Sequence, residues 1–567
     1  MLRLFNTHNV RKVESLEGEW EFQPLGGNIP EPADGHPRYK MPVPGCWEMH
    51  PRFGTYQGKA AYRRTVEVAK DTALRLSFQG VSHTADVYFN GNHVAHHYNA
   101  YTPFSAVIAH VPAGRHELAV EVDNSFSEAS ALHVPNDYYT YGGIIRPVSV
   151  EYVSELFMER IAFTPRMAKG VWEADITVYV RNIGTETSSI QLRGQLADEQ
   201  LAADVVQIGG GQVKAIALTH SFPDVHAWSQ TNPQLYLLEM TLYAEGSAEP
   251  VDDLIERVGF RTVTTLNNRI QVNGEDVVLK GFNRHEDHPI VGASFPYQLM
   301  VHDIDLMVEA GANAVRTSHY PNDERFLDLC DERGLLVWEE NHARGLSLEQ
   351  MKNPNFERQC EDCNREMVES HYNHPSIIIW AILNECASDT HEGRAMYKKQ
   401  LEQIRGLDGS RPLTFASHHR ERELCFDLAD IVSFNLYPLW YGDEDPGELS
   451  DQARGWADEL GGLGKPMIMS EFGGDGHYGL RDPLNRVKGS EERQADIIGR
   501  NLDAYTKRPF ISGMFIWQFC DCRVTEGTGW LLARAGTQNS KGIVDRYRRP
   551  KLAYDTVKPY FRQPEGK

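Results

Sequence analysis

This 567-residue sequence predicts two β-sandwiches, a jelly roll and then an immunoglobulin-like one, followed by a (β/α)8 TIM barrel. Three observations carry that expectation. Short β-rich runs punctuated by turn residues fill the N-terminal part. Near residue 266 the texture changes to strand-like runs alternating with helix-length amphipathic segments, the pattern of βα units. Eight such runs follow, the number that closes a barrel.

In the first stretch, residues 1–153, the runs 73–78, 85–89 and 117–122 are the clearest, and Asn90-Gly91 directly after the second is a hairpin signal. The pattern suits a jelly-roll β-sandwich. Residues 154–265 repeat it on a smaller scale, with runs at 174–181 and 235–243. About a hundred such residues fit an immunoglobulin-like sandwich without its disulfide. Gly209-Gly210-Gly211 reads as a turn between strands, since no helix follows to cradle a phosphate. From 266 to 567 the strand candidates are 277–282, 314–318, 335–339, 377–385, 413–416, 431–435, 467–472 and 514–519. Amphipathic segments lie between them at 299–310, 323–333, 356–372 and 491–506.

Bulk numbers narrow the function. A formal charge of −22, from 57 basic against 79 acidic residues, repels a phosphate backbone, so nucleic acid is not an expected partner. No signal-peptide pattern opens the chain and no run of 18 uncharged apolar residues follows, so neither a membrane nor secretion is expected, and the cytoplasm is. Eight cysteines in so long a chain read as free thiols. Cys360 and Cys363 have the spacing of half a zinc site but lack a second pair, and their segment reads as helix. Cys520 and Cys522 follow a strand, at the expected rim of an active site.

The stretch 467–474 delivers Glu471 from an apolar run into a glycine turn, and 377–385 likewise ends in Glu385. In a parallel barrel both acids lie on the C-terminal face, where such barrels place their chemistry. Paired carboxylates there suggest glycoside hydrolysis. The retaining form needs one carboxyl protonated and one ionised, about 5–5.5 Å apart. Asn384, beside Glu385, is a candidate donor to a sugar hydroxyl.

Further along, the chain resembles glycoside hydrolase family 2 over nearly its whole length. The resemblance rests on stretches in that family's order: Gly259-Phe260-Arg261, the run 280–289 from Lys280 to Pro289, Arg316-Thr317-Ser318-His319-Tyr320-Pro321, Asn373-His374-Pro375-Ser376, Asn384-Glu385 and Ser470-Glu471-Phe472-Gly473. It implies that Glu385 is the acid/base and Glu471 the nucleophile. Asn539-Ser540-Lys541 resembles the Asn-x-Lys signature of the family's β-glucuronidases, which implies that the amide and the ammonium grip a sugar carboxylate. By the same resemblance Tyr437 and Tyr441 reach the substrate, Trp517 closes the eighth strand, Asp137 reaches ring hydroxyls from the first sandwich, and His319 lines the pocket. The implied activity is a retaining exo-β-glucuronidase acting on a small-molecule or glycan β-hexuronide, with no cofactor and no metal. A homo-oligomer, a tetramer by family analogy, is expected.

Two departures qualify this. The family's glucuronidases carry an arginine four residues before the Asn-x-Lys asparagine, where this chain has Ala535; the nearest arginine is Arg534. That arginine reads hydroxyl stereochemistry near C4, so β-galacturonides, or both epimers, stay open as substrates, with β-galactosides behind them. Residues 340–373 read mostly as one helix, which leaves no extended active-site loop and predicts an open mouth. Glu286 and His288 resemble magnesium ligands of the family's β-galactosidases, but contiguous ligands seldom converge on one ion, and no metal is expected. A carbohydrate-binding protein without catalysis is the non-enzyme alternative; the intact acid pair argues against it.

Overall fold

A computed structural model describes residues 8–26, 39–527 and 529–563 together with Arg3 and Phe5. They form two compact units. One draws on 1–125, 141–262 and 369–375, the other on 126–140, 263–368 and 376–567.

The first unit holds both sandwiches. In the first, Lys12–Ser15, Val148–Val153, Thr72–Phe78 and Phe104–Val111 make a four-stranded sheet. A six-stranded sheet runs in the order Tyr39–Val43, Gly18–Pro24, Lys59–Val68, Gly114–Asp123, Thr84–Phe89, Asn92–Tyr98. Along Thr84–Phe89 burial alternates strictly, putting Ala85, Val87 and Phe89 inside, as period-two patterning requires. They join Trp20, Phe22, Trp47 and Tyr62 in one core. Asn90 and Gly91 take φ of 51° and 78°, the left-handed pair that a two-residue hairpin needs. In the second sandwich a three-stranded sheet, Leu156–Ala168, Val171–Asn182 and Val213–Phe222, accompanies a five-stranded sheet built around Ser188–Leu196, Tyr236–Ala244 and Pro250–Val258. Its core includes Ile176, Val178, Val180, Leu238 and Met240. The glycine run at 209–211 joins Val206–Ile208 to Val213–Phe222. All eight cysteines are free and buried.

The second unit opens with a small antiparallel sheet, Val263–Leu266, Arg269–Val272 and Glu275–Val277, turned by Asn267-Asn268 and Asn273-Gly274 at positive φ. Val277, expected in the first barrel strand, belongs to this sheet instead. Eight parallel strands then close a barrel: β1 (Leu279–Asn283), β2 (Ala314–Thr317), β3 (Leu336–Glu340), β4 (Ile377–Ile382), β5 (Leu413–Ser417), β6 (Val432–Asn435), β7 (Met467–Phe472) and β8 (Ile511–Ile516). Every residue of β1–β8 is buried, which explains the near-continuous apolar runs: strands covered on both faces have no side to leave polar.

Several helices between strands start on side-chain caps. Asp323 caps Glu324–Arg333, Thr390 caps His391–Leu407, and Ser490 caps Glu491–Thr506, each satisfying a first-turn N–H that has no partner in the helix. Residues 340–373, read as one helix, hold two, Leu348–Met351 and Phe356–His371. They follow a seven-residue loop, 341–347, that the apolar pattern did not disclose. Among the described residues no helix is long and apolar enough to cross a membrane.

Candidate active site

β1, β2, β3 and β6 end in polar or acidic residues, β7 carries Glu471 one residue before its end, and Asn384 and Glu385 follow β4. Arg316 of β2 organises them. Its guanidinium, fully buried, donates to Glu340 at the end of β3 (2.8 and 2.9 Å), to Asn283 of β1 (2.9 Å), to Asn384 (2.7 Å) and to Glu471 Oε1 (2.9 Å). A planar fork of five N–H groups can bridge several strand ends at once, as an ammonium cannot. Tyr437 donates to Glu471 Oε2 at 2.6 Å, so both carboxylate oxygens of β7's acid are held.

Glu385 lies beyond its strand. β4 stops at Ile382, and Leu383 and Glu385 take φ of 45° and 53°, a left-handed backbone that costs non-glycine residues energy and is found where geometry is imposed by function. The turn is locked by Leu383 N–H to Asn341, Asn384 N–H to the Ala343 carbonyl, and Glu385 N–H to the Ala416 carbonyl on β5. The expected strand 377–385 is thus three residues shorter, because after Ile382 the backbone turns to a side chain and a loop carbonyl before meeting β5 again. Asn435 donates to Glu385 Oε1 at 2.8 Å; Arg344 and His418 stand 3.7 and 3.5 Å from Oε2.

A pocket of about 350 Å³ opens over these strand ends, within the range of small-molecule sites. Of the residues named from sequence, Asp137, Glu385, Tyr437, Tyr441, Glu471, Trp517, Arg534 and Lys541 line it. Both acids and the lysine therefore share one cavity. His319, Asn384 and Asn539 stand behind that lining. His319 Nδ1 donates to Glu340 (2.8 Å) and the ring stacks on Trp517; burial, with Arg316 and Arg344 adding, keeps its imidazole well below the usual range, hence neutral. Asn384 accepts from Arg316 and Asn435. The Asn539 amide, expected to face a ligand, donates to Asp137 (3.1 Å) and accepts from the Lys541 N–H.

Residues 126–140, although they leave the first sandwich, belong to the barrel's unit. Gln359 clasps them at Ala129 and Ala131, and Arg344 donates to Asn136 at 2.7 Å. Asp137 is thereby presented to Arg534 (3.0 Å), Asn539 and Arg344 (3.4 Å). Burial would raise its carboxyl, but Arg344 and Arg534 outweigh it and the group sits below its ordinary value. Lys541 is held by Asp475 at 3.1 Å, and Arg534 lies 3.7 Å from the same oxygen.

The acids differ in electrostatics. Burial and the Glu385 charge push Glu471 up to about 7, against the pull of Arg316 and Tyr437. Burial would raise Glu385 too, but His418, Arg344 and Asn435 hold it below the usual carboxylate range.

Sequence reasoning did not single out Arg344, His418, Asp475, Glu340 or Trp530. Arg316 and Glu340 had a legible signal, charged groups closing apolar strands. Arg344 and Trp530 sit in loops without periodicity. Glu286 accepts from the Asp323 N–H and lies 3.7 Å from Arg284, while His288 Nδ1 accepts from the Ile290 N–H.

Family models match the chain in three consecutive pieces: the family 2 glycosyl hydrolase sugar-binding domain over 13–153, the central family 2 domain over 156–261, and the family 2 TIM barrel domain over 263–563. A β-glucuronidase of Sus scrofa is 28% identical, covering 95% of this chain and 86% of its own; one of Streptococcus agalactiae is 27% identical, covering 96% and 95%. A crystal structure of an Eisenbergiella tayi β-galacturonidase bound to galacturonate is 45% identical over 99% of both chains, with a TM-score of 0.94. Sandwiches, barrel and acid-lined pocket together are those of a glycoside hydrolase. More particularly, the chain belongs to glycoside hydrolase family 2.

Proposed function

We propose that this enzyme is a retaining exo-β-hexuronidase, with Glu471 as nucleophile and Glu385 as acid/base. The observation that carries it is the sharing of one pocket by both glutamates and Lys541. In the first step Glu471 attacks C1 as the glycosidic C–O bond breaks and Glu385 protonates the leaving oxygen. In the second, Glu385 takes a proton from water, whose oxygen attacks C1 and frees Glu471. Arg316 and Tyr437 aim the nucleophile. Lys541, kept in place by Asp475, pairs with the sugar's carboxylate, and Asp137 with its arginines binds ring hydroxyls.

Terminal β-glucuronides fit the Asn539-x-Lys541 pair and the names of the curated relatives. A specific observation favours the C4 epimer as the better substrate: the arginine nearest that motif is Arg534, bonded to Asp137, and the 45% identical relative is named a β-galacturonidase. Nitrophenyl glucuronide, galacturonide and galactoside should be compared. Turnover of both uronides, galacturonide faster, and little of the galactoside is the expected ranking; equal galactoside turnover would remove the carboxylate contact from the reading. Binding of all three with no hydrolysis would make the protein a carbohydrate-binding module.

Lys541→Ala should cost a hexuronide about 1.5–3 kcal/mol in kcat/KM, the scale of a charged hydrogen bond, and a neutral hexoside little. Steady-state kinetics on both sugars checks this, and equal losses would make Lys541 a structural residue.

A further inference from the structure

We propose that His418 is a positioning residue for Glu385 and that the two side chains together store the proton given to the leaving group. This rests on the reading of Glu385 as the acid/base. His418 follows β5 directly and turns its Nδ1 to within 3.5 Å of Glu385 Oε2, on the pocket wall. Its side chain is 44% exposed, so it exchanges protons with solvent while touching a buried acid.

The other groups at Glu385 cannot serve. Asn435 has no proton to release, and the Arg344 guanidinium keeps its own at any working pH. An imidazole is the side chain whose proton moves near neutrality. The charges facing His418 are Glu385, Arg344 and, across the pocket, Glu471. On its own turn the His419 ring lies tilted at 4.3 Å and is engaged by Asp389 at 3.4 Å, and Arg420 is paired with Glu444 at 3.2 Å. Burial lowers the His418 ring, yet the Glu385 carboxylate more than offsets this and the ring sits above its ordinary value.

The proton count closes. The resting pair holds one proton, as imidazolium with carboxylate or as imidazole with carboxylic acid, and is neutral overall. Protonating the leaving oxygen leaves imidazole and carboxylate with one negative charge. Deprotonating the attacking water restores the first state. Two groups so close titrate as a pair, with its last proton leaving at a value above that of Glu385 alone.

The test is the pH profile of kcat/KM for His418→Gln, with a phenyl and a 2,4-dinitrophenyl hexuronide, beside wild type and Glu385→Ala. The basic limb for the phenyl substrate should move down by about one pH unit, with about a tenfold loss on the alkaline side, while the dinitrophenyl substrate, which needs no acid, is unmoved. An unmoved basic limb, or equal losses on both substrates, would overturn the proposal. If Glu385→Ala instead lowers kcat/KM equally for both substrates, it is the acid/base reading that fails. Should His418→Gln not fold, histidine-labelled NMR of the wild type decides: one imidazole should titrate above the ordinary range and return to it in Glu385→Gln. A titration indifferent to that change would overturn the proposal as well.

Discussion

Glu471→Ala should abolish hydrolysis of every β-hexuronide, aryl substrates included, a loss on the order of 10⁴-fold or more from an acceleration that in enzymes starts at about 10⁶. The size follows from what is removed. Glu471 is the group proposed to bond to C1, and its two neighbours are poor substitutes: Arg316 is a guanidinium with no acceptor, and burial keeps the Tyr437 phenol well above its ordinary value and so un-ionised. The vacated space should admit a small anion, so added azide should restore turnover and give the α-glycosyl azide, opposite in configuration to the substrate. Retained wild-type hydrolysis, or an azide product of β configuration, would remove the nucleophile assignment. In the unaltered enzyme the acid limb of kcat/KM should lie above the ordinary carboxylate value, since burial raises the Glu471 carboxyl and only its ionised form attacks. An acid limb near the ordinary carboxylate value would contradict this.

Glu385→Ala should divide substrates by leaving group. With a poor one such as phenol, losing the general acid should cost about 10²–10⁴-fold. With dinitrophenol the first step proceeds unaided, and the covalent intermediate on Glu471 then accumulates because nothing deprotonates the attacking water. Mass spectrometry should show the enzyme heavier by one hexuronosyl group. Azide, needing no general base, should release it as the β-azide. Uniform loss across leaving groups would mean that Glu385 orients the site without transferring a proton. Its left-handed backbone makes the choice of alanine apt, since the turn's three backbone hydrogen bonds do not depend on the side chain.

Much of this molecule can be read before folding. Barrel strands buried on both faces leave apolar runs that mark themselves, and 467–472 coincides with β7 to the residue. Asn90-Gly91 names its hairpin because few residue pairs tolerate positive φ twice in succession. Glu385 and Glu471 are legible because an acid closing an apolar strand is conspicuous. Boundaries fared less well at β4, where side chains and loop carbonyls take over the backbone's hydrogen bonds after Ile382.

Residue order alone determined the sandwiches and the barrel and pointed to the two acids, since these depend on periodicity and on what lies within a few positions along the chain. Tertiary structure decided the environment of those acids: that Arg316 ties three other strand ends or their loops to Glu471, that Asp137 meets Arg534 across 397 positions, and that Arg344 and His418 close on Glu385 from separate loops. Such contacts leave no local trace, because electrostatic energy depends on distance through space and the chain brings its loops together only when the barrel closes.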